Sequence, residues 1–346
     1  MSAAAVSSPR RSAFAVDTGS RSTRIERRRG ILTWQQANQL AHVAAARAHA
    51  ALSVDLTRPR VDVVAAIDEA EIDLLWRPMP RVFGIYFNEP DANIGILVNS
   101  SLHIGARRHT AAHELGHHWL EHTTSVDDGS TIDLGGDDPS EATVDFLPSA
   151  RTRRWTDQEK TAEAFAVWFL MPRRVVQNAL TALGLERPRN AVDVYRLATI
   201  LGTSYAPTLR HLPNLRIATV KHTERWAKVA PGRIKAQLDR GTPAPATRRR
   251  DVVVLDHAVG DLGIHVETGD RVVIHGVNAV DVEAPAWLGA VGVTRDADLG
   301  DGVVLEVAHL DEPAVGQLTV DTVEERWTAQ VTAGPQPAGR QEIDPS

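Results

Sequence analysis

The sequence predicts an α+β chain: a mainly helical domain with a small antiparallel sheet, a helical extension, and a C-terminal all-β domain of the sandwich kind. Three observations carry this. Helical periodicity recurs between about residues 33 and 212, two strand-like runs interrupt it near residues 81–99, and beyond residue 250 the pattern becomes short Val-rich runs bounded by Gly or Asp. With 346 residues there is room for two or three domains, and the 43% hydrophobic and 24% charged fractions are those of a chain that can bury a core.

Taken in order, residues 1–30 combine Ser, small residues and Arg without a sustained period, as expected of a disordered tail. Thr33–Leu52, rich in Ala, reads as a helix, and Val61–Glu71 as a second. The runs Arg81–Phe87 and Asn93–Asn99 read as strands joined by the turn-forming Asn88-Glu-Pro-Asp91. A helix is expected at 106–122. The stretch Ser125–Pro148 is rich in Asp, Gly and Ser and reads as an exposed acidic insertion, since its aspartates do not follow the alternating ligands of a calcium loop. Asp157–Met171 is expected to be a helix stopped by Pro172, followed by helices at Arg174–Leu183, Val192–Leu201 and Ser204–Leu212; Gly202 between the last two permits a helix-turn-helix-like pair. Pro243, Pro245 and Arg248-Arg249-Arg250 mark a linker. The expected division is therefore 31–172 for the first domain, 173–220 for the helical extension, 221–250 for the linker, 251–334 for the β domain, and 335–346 for a second disordered tail.

Bulk chemistry narrows the function. A net charge of −6 gives no general attraction to nucleic acid, so direct nucleic-acid binding is not expected. Without cysteine, any metal site must be built from His, Asp and Glu, which suits a cytoplasmic protein. The apolar runs are too short for a membrane span, and Asp17 interrupts the stretch after Arg10-Arg11 that a twin-arginine signal would need.

The chemistry concentrates in Thr110-Ala-Ala-His-Glu-Leu-Gly-His-His-Trp-Leu-Glu-His122. Residues 113 and 117 lie four apart, so on a helix both imidazoles project from one face and reach one ion. Glu114, about 100° around the helix, falls beside that ion, where it can take a proton from water. Ala112, Leu115 and Trp119 give the helix an apolar stripe, and Gly116 is expected to let another backbone approach close to the ligands. The run Glu159-Lys-Thr-Ala-Glu-Ala-Phe-Ala-Val-Trp-Phe-Leu-Met-Pro172 places Glu159 and Glu163 on one face with Ala162 and Ala166. Two His and one Glu with an open fourth position make a catalytic Zn2+ site, so Glu159 is the expected third ligand. Glu163, one turn on, is the expected acceptor for an imidazole N–H. For a second oxyanion donor the candidates are His103, Tyr205 and His211. A strand at 94–99 lying at a sheet edge would align an extended peptide.

These residues resemble the ImmA/IrrE-type metallopeptidases, zincins of the gluzincin kind. The resemblance rests on Val61-Asp-Val-Val64, on Gly95-Ile-Leu-Val-Asn99, on Arg108-His-Thr-Ala-Ala-His-Glu-Leu-Gly-His117, and on Glu159-x-x-Ala162-x-x-Phe165-Ala166 ending in Leu170-Met171-Pro172, within about residues 35–215. It implies a zincin-like domain and zinc-dependent endopeptidase activity, and it makes Glu159 the third ligand. The implied partner is a protein substrate, an XRE-type helix-turn-helix repressor of mobile-element or stress-response genes. Glu163 departs from the family pattern, where Asn or Asp is usual, and the acidic insertion is longer than the family's. Two readings from other classes stand beside this one: a DNA-binding regulator using residues 192–212 with a structural zinc site, and a non-catalytic scaffold whose β domain recruits a partner.

Overall fold

The structure, a computed structural model, describes residues 32–79, 82–89, 94–127, 156–239, 250–256, 259, 263–275, 281–296, 300–322 and 325–334. Both expected tails, and the acidic segment beyond Asp127, lie outside the described residues.

Helix α1 (Trp34–Ala51) starts with a capping box: the Thr33 hydroxyl accepts the Gln36 N–H while the Gln36 side chain accepts the Thr33 N–H. Its buried stripe is Ala37, Ala41, Ala45 and Ala48, small enough for α1 to lie close along helix α4 (Asp157–Leu170). Helix α2 (Val63–Glu69) is capped by Asp62, which accepts from Val64 and Ala65. The first sheet contains β1 (Asp73–Arg77), β2 (Gly84–Phe87), β3 (Gly95–Asn99) and β4 (Ser125–Asp127) in the order β1-β3-β2-β4. It is mixed rather than antiparallel, because β1 runs parallel to β3 while β2 is antiparallel to both its neighbours. Consecutive Leu74, Leu75 and Trp76 hide the alternation that would have marked β1. This order also puts β3 inside the sheet, so the expected edge at 94–99 is corrected: among the described residues β1 and β4 are the edges.

Helix α3 (Ile104–Trp119) is buried without a break from Ile104 to His117, packed against β2, β3 and α4. Helices α5 (Arg173–Ala182), α6 (Ala191–Leu201) and α7 (Tyr205–His211) follow, with Gly202 at φ 65° ending α6 in the left-handed conformation that favours glycine. Of α7, Tyr205, Ala206, Pro207, Thr208, Leu209 and His211 are all buried, which leaves no free face for a DNA groove. The stretch expected to be linker holds two more helices, α8 (Val220–Ala227) and α9 (Pro231–Leu238), tied down by buried Trp226, Ile234 and Leu238. The Pro and Arg residues that suggested a linker come after α9.

The C-terminal part forms two four-stranded sheets. One has β5 (Val252–Leu255), β7 (Arg271–His275), β10 (Gly300–Val307) and β9 (Leu288–Asp296) in that order. The other has β6 (Ile264–Val266), β12 (Arg326–Ala333), β11 (Ala314–Asp321) and β8 (Asp281–Glu283). Strand β12 alternates, burying Trp327, Ala329, Val331 and Ala333, while β5 and β7 are buried throughout. Helices α6 and α9 pack against β5.

Polar contacts lock this β unit to the helices. Tyr195 on α6 donates to Asp251 (3.0 Å) and accepts the Val252 N–H (3.0 Å). Arg196 pairs with Asp256 at 2.9 Å, and Lys235 with Asp251 at 2.8 Å. At the start of α3, His103 offers no side-chain cap. Glu267 from the β unit supplies it, accepting the Ile104 N–H at 3.2 Å and pairing with buried Arg107. Glu267→Ala should therefore destabilise the protein by about 1–3 kcal/mol, read from chemical denaturation, since it strips a cap and a charge partner together. Among the described residues no helix is long and apolar enough to cross a membrane.

Candidate metal centre

Helices α3 and α4 bring the expected ligands together. His113 and His117, one turn apart on α3, place their Nε2 atoms 3.0 Å from each other. From α4, Glu159 Oε2 lies 3.2 Å from His113 Nε2, and Oε1 3.5 Å from His117 Nε2. Three ligands at ~2.1 Å around a tetrahedral ion stand ~3.4 Å apart, so these separations fit one zinc with shifts of tenths of an ångström. Both histidines are fully buried. Thr156 caps α4 by accepting the Glu159 N–H, and Glu159, third in the helix, turns its carboxylate to the histidines instead of back to the cap. Ser125 Oγ on β4 donates to Glu159 Oε1 at 2.8 Å.

The electrostatics suit a cation. Burial alone would raise the Glu159 pKa, but hydrogen bonds from His113 and His117 hold it well below the ordinary carboxylate value. Burial disfavours a charged His113, yet the hydrogen bonds to Glu159 and Glu163 outweigh it and raise that pKa, so the surrounding carboxylates favour positive charge at this position. His117, dominated by burial, is lowered.

Glu114 points to the same place and is held differently. It is completely buried, and among the described residues neither carboxylate oxygen has a hydrogen-bond partner. Burial pushes its pKa up to about 8, against the opposing pull of His113 and with reinforcement from Asp127 and Glu159. Strand β2 lies directly over it. A Cβ on Gly84 would come 2.5 Å from Glu114 Oε1 and 2.5 Å from Thr110 Cγ2, so only glycine lets the strand sit this close. Gly116 serves a similar purpose on the other side, although the close neighbour is the Phe165 ring of α4 rather than backbone.

The remaining expectations separate. Glu163 Oε2 stands 3.6 Å from His113 Nδ1 and makes its hydrogen bond, 2.8 Å, to His109 Nε2. His103 sits at the far end of α3 beside Asp251 at 3.2 Å, Tyr205 donates to the Trp226 carbonyl, and His211 bonds the Met171 carbonyl, so none of the three oxyanion candidates lies at the centre. Four neighbours were missed. His109 is signalled by its four-residue spacing from His113. His122 contacts His117 Nδ1 through its own Nδ1 at 3.0 Å. Ser125 and Asp127 sat in a stretch that reads as solvated loop, yet Asp127 is buried and can share an ion-sized space with His113 and Glu114.

A comparison with curated proteins finds no match. Residues 83–205, spanning β2 to the start of α7 and hence α3 and α4, match the model of the peptidase M78 family, described as the IrrE N-terminal-like domain. Residues 83–205 are thus similar to the IrrE N-terminal-like domain of the M78 peptidases, as the motifs at 108–117 and 159–172 led one to expect.

Proposed function

We propose that the chain is a zinc-dependent endopeptidase in which His113, His117 and Glu159 hold the metal and Glu114 is the general base. The observation that supports this most is Glu114: two buried carboxylate oxygens, without a hydrogen-bond partner among the described residues, beside a converging His-His-Glu set. A buried carboxylate without partners costs stability, and it is poised for a proton that arrives with substrate. Zinc held there supplies Lewis acidity to polarise the scissile carbonyl and to acidify water. Glu114 removes the proton of the attacking water and returns it to the leaving amine. The tight cover of Gly84 and Thr110 keeps that carboxylate dry and raises its basicity. Strand β4, an edge of its sheet among the described residues with Val126 exposed, is positioned to pair with an extended peptide beside Glu159.

The substrate we propose, from the family resemblance, is an XRE-type helix-turn-helix repressor, which places the reaction in the cytoplasm. Incubation of the zinc-loaded protein with XRE-type repressors from the same genome should give, for one of them, one or two discrete fragments, absent with Glu114→Gln. A repressor left intact by the zinc-loaded protein overturns the substrate assignment. A biological effect fully retained in Glu114→Gln favours the scaffold reading instead.

A further inference from the structure

We propose that His122 is a positioning residue for the metal centre: its unprotonated Nδ1 accepts the Nδ1–H of His117 and so leaves His117 Nε2 bare for the ion. The inference rests on the reading of His113, His117 and Glu159 as zinc ligands.

The end of α3 is built to deliver this contact. Glu121 lies in the left-handed region at φ 56°, its N–H bonds the His118 carbonyl at 3.1 Å, and the His122 N–H bonds the His117 carbonyl at 2.9 Å. That pair of bonds is a Schellman motif, in which the residue two beyond the cap folds back onto the third-last helical residue. Two features are unusual. Glycine normally takes the left-handed position, but here a glutamate is held in it. The folded-back pair is normally apolar, but here it is two imidazoles, His122 and His117, with ring centres 5.0 Å apart.

The direction of the hydrogen bond follows from the far side of His122. Its Nε2 faces Thr161 Oγ1 at 3.4 Å, and that hydroxyl donates at 2.9 Å to the Asp157 and Gln158 carbonyls of α4. With its proton committed to carbonyls, Thr161 Oγ1 is the acceptor, so His122 carries its proton on Nε2. His122 Nδ1 is then an acceptor, and the proton between the two rings belongs to His117 Nδ1. The relay runs one way, from the metal-facing ring to the first turn of α4, the turn that also carries Glu159. It settles the tautomer of a metal-ligating histidine as outer partners commonly do. On the opposite ligand, Glu163 occupies the corresponding place beside His113 Nδ1.

The test compares zinc affinity, by chelator competition on the full-length protein, for wild type, His122→Leu and His122→Asn. Leucine restores the apolar contact usual in a Schellman motif and so folds without supplying an acceptor, whereas the asparagine amide oxygen can replace Nδ1. The expected result is a zinc dissociation constant raised about 10–100-fold in His122→Leu and within about threefold of wild type in His122→Asn. An affinity in His122→Leu within about threefold of wild type, or equal losses in both variants, overturns the proposal. Wild type binding one zinc that His113→Ala loses supports the underlying ligand reading; a wild type that binds none overturns both.

Discussion

Glu114→Gln is expected to lower the rate of peptide cleavage by about 10²–10⁴-fold while the protein keeps its zinc, because glutamine matches the shape of glutamate but accepts no proton. The same variant carries a second, independent signature in the metal-free protein. Glu114 is fully buried with its pKa raised from 4.5 to about 8. Below pH 4.5 the folded and unfolded chains both hold the proton. Between 4.5 and about 8 the unfolded chain has released it and the folded chain has not, so the folded state loses stability as pH rises. Glutamine removes this dependence. Chemical denaturation should therefore find metal-free Glu114→Gln more stable than wild type by a few kcal/mol at pH 8, with the margin shrinking towards pH 5. A margin that is constant across this range would mean that the Glu114 carboxyl is solvated.

The second large effect concerns the union of the two halves. Arg271 on β7 meets Asp239, at the end of α9, at 2.6 Å and Glu306 on β10 at 3.0 Å; Arg271 and Asp239 side chains are 3% and 2% exposed. Removing Asp239 deprives the buried Arg271 of its shortest ion pair while Glu306 still compensates part of the charge, at a cost of about 1–3 kcal/mol. Asp239→Ala should show that loss in a urea titration. Because α9 and α6 also pack on β5, the helices and the β unit should still unfold in one transition, and two separated transitions would contradict the locked interface.

What the sequence made legible follows from periodicity and spacing. Helix α3 and the common side of His113 and His117 could be placed because the helical repeat fixes both on one face. Glu159 followed because α4 repeats its small residues with the same period. Helix α1 was legible from its alanines and β7 from its Val-rich run. What stayed hidden depends on contacts distant in sequence or on irregular backbone. Strand β4 is three residues inside an acidic stretch, and only pairing with β2 makes it a strand. Asp127 thereby passes from an expected solvated loop to a buried place beside Glu114. His122 acquires its role from a left-handed Glu121, which no propensity announces. Glu267 lies far along the chain from Ile104, so its capping of α3 required the β unit to be docked first.

The central claim is that His113, His117 and Glu159 together hold one zinc, and metal analysis of the purified full-length protein tests it most directly. Wild type is expected to contain about one zinc per chain, and Glu159→Ala to lose it while remaining folded by circular dichroism, since an open three-ligand site becomes a two-histidine one. Stoichiometric zinc retained by Glu159→Ala would contradict the account.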